Sequence, residues 1–354
     1  MKGNKGEWSE LYTCINLLSI GKLYAADENS NKINNIFFPI IKIIRNDIKD
    51  EEIEFELKDD SYINIFKNKK FLKDIKSEQL KNYSEFLYNE ILNGKNRAFE
   101  INGIEDIMNS LELKKIKSSP ANKADISIMI HDVNTGYNPI CNYSIKSELG
   151  SAPTLLNASK ATNFVYQIGE LPDKCFHFIN SISTKEKIKD RLSAILMNTN
   201  IAFLCAQNKI FSENLMLIDS RMEEMIGHIL LKFYIDGVKD CKDIIKLLEK
   251  ENPMGFPRNG FYEYKFKKFL CSIALGMFPS KQWDGIDDAN GGYIIVKRNG
   301  DCLAYQLYNR NAFEEYLLNN TKLEKGSTSK HDYATLYKQS EKIFINLNLQ
   351  IRFK

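Results

Sequence analysis

The stretch ADISIMIHDVNTGYNPICNYSIKSELG, residues 124–150, decides the fold prediction because two alternating segments flank a polar turn. In the first segment Ile126, Ile128 and Ile130 occupy every second position, which is the period of a half-buried strand. DVNTGYNP supplies residues typical of turns, and residues 142–147 alternate again. The stretch therefore predicts a β-hairpin, with Asp125 at the start of one strand and Lys146 on the next.

A hairpin requires neither an aspartate nor a lysine at these positions, so both side chains are candidates for chemistry. Hydrolysis of a phosphodiester needs an activated water and neutralisation of the charge that builds up on the phosphate, and a carboxylate holding Mg²⁺ beside an ammonium supplies both. Mg²⁺ accepts one or two carboxylates, a backbone carbonyl and several waters. Asp125 and the carbonyl of Ile145 are candidate ligands, and Lys146, on the same strand face as Ser144, is a candidate to assist the attacking water.

The segments before the hairpin predict a mixture of helices and strands. GEWSELYTCINLLSIGK, residues 6–22, has Leu11, Ile15 and Leu18 at helical spacing and Gly21 in place to end the helix. Residues 37–57 predict two strands. Residues 65–115 predict helices with a lysine-rich surface.

The segments after the hairpin predict a helical middle and a second region of strands. GSAPTLL, residues 150–156, predicts a loop that leads into a helix. Residues from 180 onward predict helices for about ninety residues. Residues 291–309 predict a hairpin with Asn299 and Gly300 as its turn, and residues 343–353 predict a final strand.

Composition bounds the class of protein. The 354 residues carry 49 Lys and Arg against 46 Asp and Glu, a net charge of +3, so a nucleic-acid site would have to be a local patch. The seven cysteines include no C-x-x-C pair and the four histidines show no metal-ligand spacing, which predicts reduced thiols and no structural zinc. Because no apolar run approaches the length of a membrane span, we expect a soluble, cytoplasmic protein.

The hairpin pattern resembles the PD-(D/E)XK nuclease core, in which an aspartate on one strand is followed by acidic-x-lysine on the next. Five stretches resemble the HpaII-type restriction endonucleases over nearly the whole chain: KGEWSELY (5–12), ADISI (124–128), SIKSELGSAPTLLNASKATNF (144–164), STSKH (327–331) and LNLQIRF (347–353). The resemblance implies an α/β (α+β) fold with a mixed central sheet flanked by helices. We expect a catalytic core in residues 1–200 and a helical and β-hairpin region for DNA recognition in residues 201–354.

The resemblance also implies a Mg²⁺-dependent type II restriction endonuclease that cuts double-stranded DNA at a short palindrome, CCGG. A cognate cytosine DNA methyltransferase would protect the same site, and a palindromic target implies a homodimer on DNA. Two alternatives stay open. One is a nuclease of this core with a repair or modification-dependent role, and the other is a non-catalytic DNA-binding or scaffold protein.

Two positions depart from the nuclease pattern. Ala124 replaces a proline that is not catalytic, and Ser144 replaces the first acidic residue of the second strand. Because a hydroxyl is a poor Mg²⁺ ligand, another carboxylate should take its place.

The candidates for that carboxylate are Glu10, then Glu148, then Glu7. Glu10 is favoured over Glu148 because Gly150 indicates that the strand has already ended near residue 148. The ordinary explanation for Glu7 and Glu10 is acidic enrichment in the first turn of a helix, which stabilises by ~0.3–1 kcal/mol.

Two polar clusters are candidate DNA contacts. Asn157, Lys160 and Asn163 recur at three-residue steps on the helix predicted after residue 156, and they could meet phosphates or base edges. STSKH, comprising Ser327, Thr328, Ser329, Lys330 and His331, predicts a polar loop that suits phosphate or groove contacts. A solvated helix face and a hydrophilic loop are the alternative explanations.

Overall fold

The computed structural model describes residues 1–48, 51–58, 61–118, 124–133, 135–305 and 309–354, and these form two compact units. Unit 1 comprises Met1–Pro153 and Asp287–Tyr316, and unit 2 comprises Thr154–Ile286 and Leu317–Lys354. The mixed α/β class is confirmed. The boundary predicted near residue 200 falls inside unit 2, and the assignment of catalysis and DNA recognition to the two parts of the chain stays a prediction.

The described helices are α1 (Lys5–Ile20), α2 (Ser77–Asn93), α3 (Ile104–Ser110), α4 (Asp173–Ser181), α5 (Lys187–Asn198), α6 (Lys209–Ile218), α7 (Met222–Leu231), α8 (Cys241–Glu251), α9 (Phe261–Leu275), α10 (Arg310–Asn320) and α11 (Thr328–His331). A 3₁₀ turn covers Lys160–Thr162 and a π-helical turn covers Lys232–Asp236. Within the described ranges, no helix combines the length and the apolar character needed to cross a membrane.

The described strands are β1 (Lys2–Gly3), β2 (Lys22–Ala26), β3 (Lys32–Ile48), β4 (Glu51–Leu57), β5 (Tyr62–Lys67), β6 (Lys70–Lys76), β7 (Phe99–Glu100), β8 (Ile126–Ile130), β9 (Ile140–Ser147), β10 (Thr154–Leu156), β11 (Asn163–Ile168), β12 (Ile201–Ala206), β13 (Gly292–Val296), β14 (Cys302–Tyr305), β15 (Thr321–Leu323), β16 (Leu336–Gln339), β17 (Lys342–Asn348) and β18 (Ile351–Phe353).

A mixed sheet organises unit 1, with the strand order β2-β14-β13-β9-β8-β3-β4-β5-β6. The expected hairpin is its centre, because β8 and β9 pair antiparallel and Ile126 faces Tyr143 across them. On its other side β9 pairs in parallel with β13. The 291–309 hairpin is confirmed as β13 and β14. In unit 2, the sheet order β12-β11-β17-β16 and the sheet order β10-β18-β15 are flanked by α4 to α9.

Helix α1 lies within the core of unit 1 and carries Glu10. Asn4 and Glu7 form a reciprocal capping box at its start, and Gly21 ends it in the left-handed conformation at φ 68°. Trp8, Leu11 and eight further side chains of this helix are buried. Ser9 Oγ donates to Ser147 Oγ of β9 at 2.7 Å, which fixes α1 against the β8–β9 hairpin.

One helix prediction is confirmed only in part, and another is wrong. Helices α2 and α3 confirm the helical character predicted within residues 65–115. Within residues 65–115 the chain also forms β5 and β6, because Ile63 and Ile65 are buried in pairs that extend the sheet from β4, and Asn68 and Lys69 both adopt positive φ in the turn. The lysines concealed this alternation. After Pro153 the chain forms β10, the 3₁₀ turn and β11 instead of a helix, because NFVYQI pairs on both edges, with β12 and β17.

The other element predictions fared better. Strands β3 and β4 confirm the two strands expected in residues 37–57, and β17 with β18 confirm the final strand region. β12 interrupts the otherwise helical stretch after residue 180.

Strand β3 carries a buried ion pair. Arg45 and Asp47 are 2% and 4% exposed, and Arg45 Nη2 lies 2.9 Å from Asp47 Oδ1. The second oxygen of Asp47 accepts the N–H groups of Lys114 and Lys115, and Arg45 donates to the carbonyls of Lys115 and Ile116. The pair thus ties β3 to the segment that follows α3.

We expect Asp47→Ala to lower the free energy of unfolding by about 3–5 kcal/mol, because it leaves the Arg45 guanidinium buried without its partner. Asp243→Ala is the matched control. It breaks an ion pair with Lys246 in which both side chains are more than half exposed, so its cost should stay below about 1 kcal/mol. Urea unfolding of both variants measures the difference, and equal losses would contradict the buried-pair explanation.

Candidate active site

The hairpin brings Asp125, Ser144 and Lys146 together through hydrogen bonds. Asp125 directly precedes β8, and its N–H donates to Tyr143 O at 2.8 Å. Its Oδ2 accepts from Ile145 N at 2.7 Å and from Ser144 Oγ at 3.0 Å. Ser144 Oγ in turn accepts from Lys146 Nζ at 2.8 Å. A continuous chain therefore runs from carboxylate through hydroxyl to ammonium.

This chain explains the serine at the position where an acid was expected. Ser144 is buried, and its hydroxyl donates to one charged group while accepting from another. A carboxylate could not donate to Asp125. Ser144 therefore orients Asp125 and Lys146.

Lys146 is further oriented by an aromatic ring. Its Nζ lies 5.1 Å from the centre of the Tyr293 ring, on the neighbouring strand β13. A cation over a ring face is attracted by the ring quadrupole. The ammonium is thus held from two directions.

Glu10 is coupled electrostatically to this group. Burial, together with the negative charge of Asp125, raises the pKa of Glu10 to about 8. The positive charges of Arg45, Lys117 and Lys146 act in the opposite direction. Two carboxylates of one site therefore interact, and one of them holds a proton near neutral pH while no cation is bound.

The two rival carboxylates have other partners. Glu148 Oε1 accepts from Lys297 Nζ at 2.6 Å, just beyond the end of β9. Glu7 closes the capping box of α1 and pairs with Lys117 at 3.0 Å. Desolvation raises the pKa of Glu7, but hydrogen bonds from the Asn4 backbone and from Lys117 outweigh it and the pKa is lowered. The geometry favours Glu10 as the additional ligand.

A groove of about 720 Å³ opens beside these residues in unit 1. Glu10, Ile145 and Lys146 line it, together with Lys5, the first turn of α1 and the loop that follows α2. Asp125 lies behind Ser144 and Ile145, to which it is hydrogen-bonded. Sequence reasoning missed the loop residues, whose only signal is the basic stretch GKNR at residues 94–97.

The donor set fits a hard cation with few protein ligands. Within the described parts of the chain, no three His, Cys, Asp or Glu side chains come close enough together to hold a metal ion. Mg²⁺ keeps several waters and binds through one or two carboxylates, which matches the interacting pair Asp125 and Glu10. Among the described residues, Asp125 Oδ1 accepts no hydrogen bond and is available as a ligand oxygen.

The three residues of the first predicted DNA-contact cluster, Asn157, Lys160 and Asn163, do not lie on one helix. Asn163 opens β11, is fully buried, and donates to Gln207 Oε1 and His331 O at 2.9 Å each, so its amide has a structural role. Asn157 is exposed, and Lys160 is exposed and pairs with Asp332 at 2.8 Å. The prediction that these residues form a polar stripe on one helix is therefore wrong.

The second predicted cluster forms a short helix, α11, with Ser327 as its N-cap. Thr328 and Ser329 line a separate cavity of about 540 Å³ within unit 2, which Lys187, Gln207 and Tyr337 also line. Lys330 is exposed, and desolvation and the charge of Lys330 lower the pKa of His331. The cavity lining thus combines the hydroxyls of Thr328 and Ser329 with the ammonium of Lys187, whereas Lys330 and His331 are not among its described lining residues.

Comparison with known proteins identifies the family. Residues 4–353 match the profile of the HpaII restriction endonuclease family. The chain belongs to this family. It is 41% identical to the type II restriction enzyme HpaII of Haemophilus parainfluenzae over 99% of this chain and 98% of that enzyme. The HpaII family member described here is accordingly a site-specific endonuclease. No solved structure matches it.

The raised pKa of Glu10 predicts how stability depends on pH in the metal-free protein. Because the folded chain holds this proton more tightly than the unfolded chain, Glu10 contributes fully below pH 4.5 and its contribution is lost as the pH rises towards 8. We expect Glu10→Gln, which keeps the neutral shape, to gain about 3–4 kcal/mol relative to the wild type between pH 5 and pH 8. Urea unfolding in a chelator measures this difference.

Glu7→Gln is the control on the same helix. Its pKa is lowered, so its contribution is complete above pH 4.5 and should be constant between pH 5 and pH 8. If the difference in unfolding free energy between Glu10→Gln and the wild type is equally independent of pH, Glu10 does not hold a proton in the folded protein.

Removal of the Ser144 hydroxyl tests the orienting chain. We expect Ser144→Ala to lower kcat for DNA cleavage by about 10- to 100-fold, since a hydrogen bond to a charged group is worth about 1.5–3 kcal/mol. Ser127→Ala is the matched control, because among the described residues the Ser127 hydroxyl in the same hairpin bonds the neutral side chain of Asn142 alone, at 2.7 Å. If both variants cleave at the same rate, Ser144 has no orienting role.

Proposed function

We propose that this HpaII family endonuclease uses Mg²⁺ to hydrolyse double-stranded DNA at the palindrome CCGG. The observation that carries the proposal is the hydrogen-bonded chain Asp125–Ser144–Lys146 beside a second, interacting carboxylate, Glu10. The similarity to the type II restriction enzyme HpaII supports the target sequence.

Each residue of the site has a distinct task. Asp125 and Glu10 would hold the cation, with the Ile145 carbonyl as a third oxygen. Bound Mg²⁺ would polarise the phosphoryl oxygen and lower the pKa of water. Lys146, fixed by Ser144 and Tyr293, places its positive charge where it stabilises the attacking oxygen and the developing charge on the phosphate.

The topology supports a PD-(D/E)XK core. In that core the carboxylate and the lysine come from adjacent strands of a mixed sheet, which is the relation between Asp125, before β8, and Lys146 on β9. The parallel neighbour β13 and the buried helix α1 complete the surroundings of the hairpin.

Recognition and assembly are further parts of the proposal. The polar cavity of unit 2 beside Thr328 and Ser329 supports base or phosphate contacts by STSKH, with exposed Asn157 and Lys160 as additional candidates. A palindromic target requires the same reaction on both strands, which two copies of the chain related by a two-fold axis would provide. A cytosine DNA methyltransferase acting on CCGG would protect the host DNA.

Plasmid digestion tests the proposal. The purified protein should cut a sequenced plasmid at every CCGG in Mg²⁺ and leave it intact in a chelator, and the mapped fragment ends give the cleavage position. Asp125→Ala and Lys146→Ala should each reduce cleavage at least about a thousandfold, because each removes a group that acts on the developing charge.

Two glutamate variants distinguish the candidate ligands. Glu10→Gln should abolish cleavage, whereas Glu148→Gln, which breaks the pair with Lys297, should retain it within a few-fold. Fragment ends outside CCGG would overturn the target sequence. Loss of cleavage in Glu148→Gln alone would overturn the ligand assignment.

A further inference from the structure

The charged side chains that line the groove in unit 1 are mostly positive. Four cationic side chains line it, Lys5, Lys95, Arg97 and Lys146, and Glu10 is the only acidic residue among the described lining residues. A cavity of about 720 Å³ admits a nucleotide segment but not a whole duplex. The chemistry that matches such a lining is the sugar–phosphate edge of one DNA strand.

The positive charges of Lys95 and Arg97 are not compensated by a carboxylate among the described residues. Both side chains are exposed, and among the described residues no carboxylate pairs with either of them. By contrast, Lys117 and Lys297 near the site are neutralised by Glu7 and Glu148. The side chain of Lys5 is held in place by a hydrogen bond, because its Nζ donates to Leu92 O at 3.2 Å.

The loop that carries Lys95 and Arg97 is held at both ends. Gly94 closes α2 through its N–H to Glu90 O at 3.0 Å, and a Cβ there would lie 2.4 Å from the Phe99 ring. Phe99 starts β7, which pairs with β1, and its carbonyl accepts from Trp8 Nε1 at 3.2 Å. Only residues 95–98 lie between these anchors, so the two cations stay at the groove.

We propose that Lys95 and Arg97 form a phosphate clamp, which grips the backbone of the cleaved strand next to the scissile phosphate. The planar guanidinium of Arg97 can bind a phosphate through two hydrogen bonds, and Lys95 adds a point charge. The clamp is a positioning device: it holds the strand so that the phosphate to be cut lies in front of Lys146. This inference rests on the proposed function of the same site.

Salt-dependent binding tests the clamp. Binding is measured in Ca²⁺, with Mg²⁺ omitted, on a duplex that contains CCGG and on a scrambled duplex. The double variant Lys95→Ala with Arg97→Ala should bind both duplexes at least about tenfold more weakly near 0.15 M salt. The slope of log K against log salt should become shallower by about 2, because each lost phosphate contact removes about 0.9.

Charge-conserving and remote variants provide the controls. Lys95→Arg with Arg97→Lys should restore the wild-type salt slope, which a purely structural role would not predict. Lys81→Ala and Arg298→Ala remove exposed cations of unit 1 that do not line the groove, and both should bind like the wild type. Thermal unfolding of the alanine variants should match the wild type, since the side chains are exposed.

The outcomes separate the clamp from the proposed function. Wild-type affinity and slope in the double alanine variant would overturn the clamp while CCGG cleavage by the wild type stands. If the wild type binds DNA but cuts nothing in Mg²⁺, the proposed function fails, and the salt slopes still decide the clamp. If the wild type binds neither duplex, the clamp fails, and plasmid cleavage in Mg²⁺ decides the proposed function separately.

Discussion

The site depends on one carboxylate oxygen that binds two groups of the neighbouring strand. Asp125 Oδ2 accepts from the Ile145 N–H and the Ser144 hydroxyl, which fixes the carboxylate against β9 and sets the direction of Ser144. Ser144 then holds Lys146. Because strand side chains alternate in direction, a register slip by one residue between β8 and β9 would separate these groups. The hairpin register is therefore part of the chemistry.

The buried helix α1 supplies what the hairpin lacks. Its capping box and the bond from Ser9 to Ser147 present Glu10 beside Lys146 from a different part of the sequence. Burial near Asp125 makes the ionised form of Glu10 unfavourable, and the proposed Mg²⁺ would compensate that negative charge. A third acid at position 144 would add repulsion, whereas a serine adds a donor.

The sequence predicted the β8–β9 hairpin better than it predicted the flanking elements. Strict alternation in ADISIMI identified β8. The positions of Asp125 and Lys146 on adjacent strands led to the prediction of metal-dependent phosphodiester hydrolysis. Strands β5 and β11 were missed, because lysines and asparagines that recur at helical spacing conceal pairing set by distant partners. The structural role of Asn163 depends on contacts with Gln207 and His331, which are distant in sequence and which no local pattern encodes.

The most direct measurement is a crystal structure of the Lys146→Ala variant with a CCGG duplex and Mn²⁺, which is located by anomalous scattering. The account predicts an ion bound by carboxylate oxygens of Asp125 and Glu10 and in contact with one DNA phosphate. An ion held by Glu148 instead of Glu10, or a phosphate bound with Asp125 turned away from it, would contradict the account.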